Sequence, residues 1–330
     1  MGLRILLPLA LAVTAACTGP HSTTTAPEPV LALRFLDVPI TPIGEVFDVV
    51  TVPGAPDFLE VHDENAAWVM NPATNAIELV DLTGVVASVP VASPMGALTM
   101  AFGSLWSASR QGGQLIRIDP VSRAVIASID APMLHYESTM AAAGGLLWIM
   151  ADMEGHLAYV DPTTNTVAGH VQVEPRSFGV AAGFGSVWVT NLGAREATGA
   201  GSIQRIDPVA KSVVATIPVG PKPLFLATGA GGVWVINQGD GTVSRVDPET
   251  NAVVATIELG IDGPGGDIAV GLDRVWVRAT KTLLSVIDPA TNAVVARYGP
   301  NAGSGGVRTG FGKVWLSAHD TEELWRLDAR

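Results

Sequence analysis

The chain has 330 residues, of which 48% are apolar and only 15% charged, so it carries ample material for a packed core and is no disordered polyelectrolyte. Its formal net charge is −12 and its Lys and Arg residues form no cluster, which excludes nucleic acid and anionic lipid as electrostatic partners. The single cysteine, Cys17, excludes an internal disulfide, and the six histidines contain no i, i+4 pair of the helical zinc type.

Residues 1–16, MGLRILLPLALAVTAA, place Arg4 before a short apolar run and then small residues. The run is too short to cross a bilayer and stay there, so it reads as a secretory signal. Val13-Thr14-Ala15-Ala16-Cys17 resembles a bacterial lipobox, which predicts cleavage before Cys17 and lipidation of its thiol. The competing reading is an ordinary signal peptide with an incidental cysteine, which would give a secreted protein. Residues 17–36 follow as a Thr/Pro-rich tether. The expected location is the cell envelope, on the outer face of the cytoplasmic membrane.

Residues 37–330 form a repeat. Seven tryptophans (Trp68, Trp106, Trp148, Trp188, Trp234, Trp276 and Trp315) recur at intervals of 38, 42, 40, 46, 42 and 39 residues. Each precedes an aspartate: Asp81, Asp119, Asp161, Asp207, Asp247, Asp288 and Asp328. The fifth unit shows the pattern most plainly, with strands at Val233–Asn237, Thr242–Val246 and Ala252–Leu259 separated by NQGDG and DPETN. In the Asp-Pro-x-x-Asn turn, Asp bonds the backbone ahead of it and Pro presets φ at the next position. A period near 40 with several strands per unit predicts an all-β, seven-bladed β-propeller of four-stranded blades. The seventh unit lacks its outer strand, and Val46–Val52 matches the missing segment. The N-terminal strand is therefore expected to close the last blade and remove an open edge.

The segments WVTN and WVIN, with RIDP and RVDP followed by VVATIPVG, resemble the YVTN-type bacterial propellers. They are also similar to the virginiamycin B lyase family, and the resemblance covers about residues 45–330. It implies the seven-bladed plan and, for a lyase, metal-assisted base chemistry by His and Glu on the axial face. A Glu would then stand three residues after the blade Trp, where this chain has Asn71, Ser109, Ala151, Asn191, Asn237, Ala279 and Ala318.

Ligands of propellers gather over the axis, where the loops between blades converge. Polar departures from the repeat in those loops are Asp57, His135, Tyr136, Glu137, Arg176, Lys222 and Asp267. Asp57, Tyr136, Arg176, Lys222 and Asp267 are the expected ligand-binding residues, and His135 with Glu137 is the candidate catalytic pair. Arg117, Arg205, Arg245 and Arg326 each lie two residues before the blade aspartate, which suggests an ion pair along one strand face. Methionines of blades two and three (Met95, Met100, Met133, Met140, Met150 and Met153) lie near His135 and His156 and read as core filler, with a copper(I) site as the alternative. The insertion LGAREATGAG at 192–201 elaborates one loop.

The expectation is a lipid-anchored propeller that binds a small molecule or an envelope protein through its axial face, with no cofactor. The alternative is a metal-assisted lyase or lactonase-type enzyme, with Glu137, Asp267 and His135 as metal or base candidates. Convergence of those side chains on one face separates the two.

Overall fold

The computed structural model describes residues 37–131, 137–193, 199–260, 265–279, 283–300 and 302–328. Seven antiparallel sheets follow one another in sequence, each ordered a–b–c–d from the axis outward. In the fifth blade these strands are Pro223–Gly229, Gly232–Asn237, Thr242–Asp247 and Ala252–Glu258. The a–b and c–d hairpins lie on one end of the ring, called here the turn face. The b–c and d–a connections lie on the other, the loop face.

The seventh blade closes as expected. Asp48–Thr51 pairs antiparallel with Glu323–Asp328, setting Val49 opposite Trp325. Val50 and Val52 are buried with Trp315 and Leu324. The N-terminus also adds a strand that the repeat does not announce. Ile40–Pro42 pairs in parallel with Ala293–Gly299 and gives the sixth blade a fifth strand.

The repeat tryptophans are core residues, all with relative exposure of 5% or less. Five donate their indole N–H to the carbonyl five residues earlier, as Trp188 does to Gly183 at 3.1 Å and Trp234 to Gly229 at 3.0 Å. A large ring is thereby buried without stranding its polar atom. Trp68 donates instead to His62 Nδ1 at 3.2 Å. Trp325, off the repeat, is buried too. So are Met95, Met140 and Met150, in keeping with core filler, while Met153 is exposed. Met133 lies outside the described residues.

The Asp-Pro turns work as predicted. Asp119 Oδ1 accepts from the amides of Val121 and Ser122, and Asp247 Oδ1 from those of Glu249 and Thr250. These bonds hold both carboxyls below their usual range. The turns' last residues, Asn165, Asn251 and Asn292, take the left-handed conformation that asparagine tolerates.

The arginine expectation needs correction. Arg326 does lie 3.5 Å from Asp328, but Arg117, Arg205 and Arg245 reach into the next blade. Each stands directly opposite its blade tryptophan, with its guanidinium about 5 Å from the ring centroid. Each then donates to a proline carbonyl and an asparagine of the following Asp-Pro turn. Arg117 bonds Pro162 and Asn165, Arg205 bonds Pro248 and Asn251, and Arg245 bonds Pro289 and Asn292. A strand-face ion pair loses because the neighbouring turn offers two fixed acceptors where the guanidinium fork ends.

Candidate functional site at the loop face

Asp57 stands in the connection leading into the first blade, and its backbone is fixed from two sides. Its amide donates to Met70 O at 2.9 Å, and its carbonyl accepts from the Ser317 hydroxyl of the seventh blade. The half-buried carboxyl sits deep among protein atoms. Burial pushes its pKa up to about 6; the carboxylates of Asp267 and Asp320 push the same way, while His319 and Arg278 pull back. Glu137, entering the third blade, is also raised, by burial first and then by the charge of Asp57, against the influence of His319. Carboxyls from blades one and three thus share one electrostatic environment, which the imidazole of His319 from blade seven also influences.

His319 follows strand Lys313–Ala318, with its amide on Ser304 O at 3.2 Å and its Nδ1 against the Asp320 carboxylate. Arg278 ends strand Arg274–Arg278 and is fully buried. It donates to the carbonyls of Ala279, Leu283, Ala302 and Ser317, so a buried cation is held by main-chain carbonyls of blades six and seven. Burial lowers its pKa to about 10, and Asp57, Asp267 and Asp320 raise it in opposition.

Below the mouth the inner strands of all seven blades enclose a cavity of about 280 Å³. Its wall is mostly small residues, among them Ala97, Ala141, Ala182 and Ala227, and its charged groups are Glu60, Asp267 and Arg308. Asp267 was expected in a loop; it is instead the buried first residue of the inner strand Asp267–Gly271. It pairs with Arg308 and accepts from the amides of Ile268 at 2.9 Å and Val307 at 3.0 Å. Burial still moves its carboxyl upward, although Arg308 opposes the shift. Glu60 is raised to about 7, by burial against the same arginine. A second cavity, of about 290 Å³, lies beside Asp57 and is lined by Met70, Pro72, Met95 and Arg110.

Of the expected residues, Asp57 thus lies within electrostatic influence of both Glu137 and Asp267. Arg176 is used elsewhere: its guanidinium bonds the Gly193 carbonyl and its own carbonyl accepts from Leu192, which secures one end of the 192–201 insertion. Lys222 is exposed, in the left-handed region. His135, Tyr136 and Cys17 lie outside the described residues, as do Arg195 and Glu196 of the insertion. Sequence reasoning missed His319, Arg278 and Arg308. The first stands four residues after Trp315, where the other units have Pro72, Arg110, Asp152, Leu192, Gln238 and Thr280. Arg278 stands two after Trp276, in a column otherwise filled by Met70, Ala108, Met150, Thr190, Ile236 and Ser317. For Arg278, a charge in a core column was the available signal.

The donor types at the mouth suit a divalent cation, but among the described residues no three His, Cys, Asp or Glu side chains converge closely enough to hold one.

Fold and site define a seven-bladed β-propeller with an acidic axial mouth. The fold is shared with virginiamycin B lyase from Staphylococcus aureus, at 13% identity over 86% of this chain and 98% of the lyase, with a TM-score of 0.69. A streptogramin B lyase structure aligns at 15% identity over 88% of this chain and all of the other, also with a TM-score of 0.69. Hydrazine synthase from Kuenenia stuttgartiensis aligns at 12% identity over 83% of this chain and 95% of that one, with a TM-score of 0.64. No protein-family model and no curated protein matches the sequence. At these identities the likeness carries the fold, which hosts unrelated activities.

Proposed function

We propose that the protein is a lipid-anchored, extracytoplasmic propeller that binds a small ligand bearing a positive charge at its axial mouth. The observation that supports this reading is the shared environment of Asp57 and Glu137, both pushed up by burial and both sensing His319. Carboxyls whose ionisation is disfavoured by burial and by each other gain most when a cation arrives, because it relieves both penalties at once. Binding then strengthens as pH rises through about 6, as Asp57 ionises. The test is a thermal-shift titration of the full chain with a panel of organic amines at pH 5 and pH 7.5. A saturable rise in melting temperature, larger at pH 7.5 and lost in Asp57→Asn, supports the proposal. No shift with any amine, or one unchanged in Asp57→Asn, overturns it.

A lyase is the second reading, favoured by a histidine, His319, whose charge acts on both Asp57 and Glu137, on a fold shared with virginiamycin B lyase. A histidine-to-alanine variant of the Staphylococcus aureus lyase, crystallised with quinupristin, is catalytically inactive. Incubating this protein with quinupristin, with and without magnesium, decides between the readings: turnover lost in His319→Ala selects the enzyme.

A further inference from the structure

Three of the a–b hairpins end in Phe-Gly: Phe102-Gly103, Phe184-Gly185 and Phe311-Gly312. Both residues of each pair have positive φ (53° and 70°, 53° and 71°, 50° and 75°), as in a two-residue type I′ turn. The first position of that turn favours Asn, Asp or Gly, because a Cβ is disfavoured in the left-handed region. The phenylalanines are nonetheless among the exposed residues, at 40%, 42% and 61%. Gly144 and Ala230 fill the same position in blades three and five, so the turn itself needs no aromatic ring. Two c–d turns on the same face add Val121 and Val209, at 86% and 83% exposure. The rings belong to blades two, four and seven. They are thus spread around the annulus as separate knobs, which suits a planar partner better than an inserted segment.

We propose that the turn face rests on the zwitterionic surface of the bilayer, with the phenylalanines reaching its interface and the acidic mouth pointing away. The inference rests on the lipid anchor proposed above. The described start of the chain gives the orientation. Ile40–Pro42 runs parallel to Ala293–Gly299, a d strand, which climbs from the turn face to the loop face. The segment before Ile40 therefore joins the propeller from the turn-face side. Nineteen residues, 18–36, separate Cys17 from the described chain, and a random coil of that length has a root-mean-square reach of about 25 Å. Anchored that closely, weak interfacial contacts suffice, since the tether replaces free encounter with a high local concentration. The net charge of −12 disfavours an anionic surface and leaves a zwitterionic one as the fitting partner.

The test couples the mature chain through Cys17, its only cysteine, to a maleimide lipid in phosphatidylcholine vesicles. All the tryptophans of the propeller are buried, so a tryptophan placed at an exposed position reports its own surroundings. Phe311→Trp on the turn face is compared with Glu154→Trp on the loop face, using brominated phosphatidylcholine as the quencher. The expected result is quenching of about half or more of the added emission, with a blue shift, for Phe311→Trp alone. Adding Phe102→Ser and Phe184→Ser to Phe311→Trp is expected to abolish it. Quenching at neither position, or equal quenching at both, overturns the proposal and leaves the turn face to another partner. Chemical coupling makes this outcome independent of cellular lipidation. Failure of palmitate labelling at Cys17 in cells would overturn the anchor alone.

Discussion

Arg205 donates from Nη1 to Asn251 Oδ1 at 3.1 Å, across the seam between the fourth and fifth blades. The same latch joins blades two to three through Arg117 and Asn165, and five to six through Arg245 and Asn292. Between blades three and four its parts are exchanged: Tyr159 packs on Trp148, and Lys211, at the turn position of the asparagines, lies 4.4 Å over the tyrosine ring. The other three seams have Val286, Arg326 and Leu79 at that position, and Arg326 turns to Asp48 and Asp328. Those seams flank blades seven and one, which supply Asp57, Glu60, Arg308 and His319, while Glu137, Asp267 and Arg278 come from latched blades.

Arg205→Ala is expected to lower stability by about 1–3 kcal/mol, the usual range for a charge-assisted bond whose acceptors are left behind. Asn251→Gly keeps the left-handed turn and removes only the acceptor. A double-mutant cycle followed by urea unfolding should then give a coupling energy of about 1 kcal/mol. Additive losses would mean that the two residues stabilise the ring independently.

Deleting residues 1–52 removes the outer strand of the seventh blade and bares the edge of Glu323–Asp328 together with Leu324 and Trp315. An unpaired edge over an apolar wall is a template for association. The truncated protein is expected to elute as larger species or aggregate, whereas removing residues 1–36 alone should leave the elution profile unchanged. A monodisperse truncation with the wild-type melting temperature would show that closure is dispensable.

Much of this fold was legible because each blade repeats a tryptophan, an aspartate and a turn at nearly fixed intervals, and a periodic signal survives local variation. The closing strand was legible for the same reason: Val46–Val52 fills the one gap in the strand count. The strand Ile40–Pro42 was not, since three residues outside the repeat carry no pattern and their pairing depends on where the chain enters. The arginine latch was hidden by distance, its acceptors lying 43 to 48 residues downstream in another blade. At the site, Asp57 and Glu137 stood out as charges in loop columns. Arg278 ends its strand b and His319 follows one, and the column of His319 becomes informative only once the b–c loops are known to meet the d–a loops over the axis.

Glu60 and Asp57 make stability fall as pH rises through neutrality. Both have folded-state pKa values above the unfolded ones, about 7 against 4.5 and about 6 against 3.8. Their contribution is therefore complete below about pH 4 and is lost as pH climbs through 6 to 7. Glu60→Gln removes the buried charge and keeps the shape, so it should stabilise the protein at pH 8 by about 1–3 kcal/mol. It should do much less at pH 5. Urea midpoints at the two pH values check the sign, and equal effects at both would show that Glu60 ionises freely in the folded state.

Phe311→Gly separates the needs of the fold from those of the turn face. Phe311 has φ of 50° and is 61% exposed, so its ring contributes little to the core while its Cβ strains the turn. Glycine relieves that strain, which is about 1–2 kcal/mol for an L residue, and gives back part of it through greater freedom in the unfolded chain. The isolated protein is expected to gain about 0.5–1 kcal/mol, read as a higher urea midpoint at unchanged slope. A gain of this kind would mean that the wild-type sequence keeps a residue its own fold disfavours, as a surface held for a partner does. A loss of more than about 1 kcal/mol would instead assign the ring a packing role within the blade.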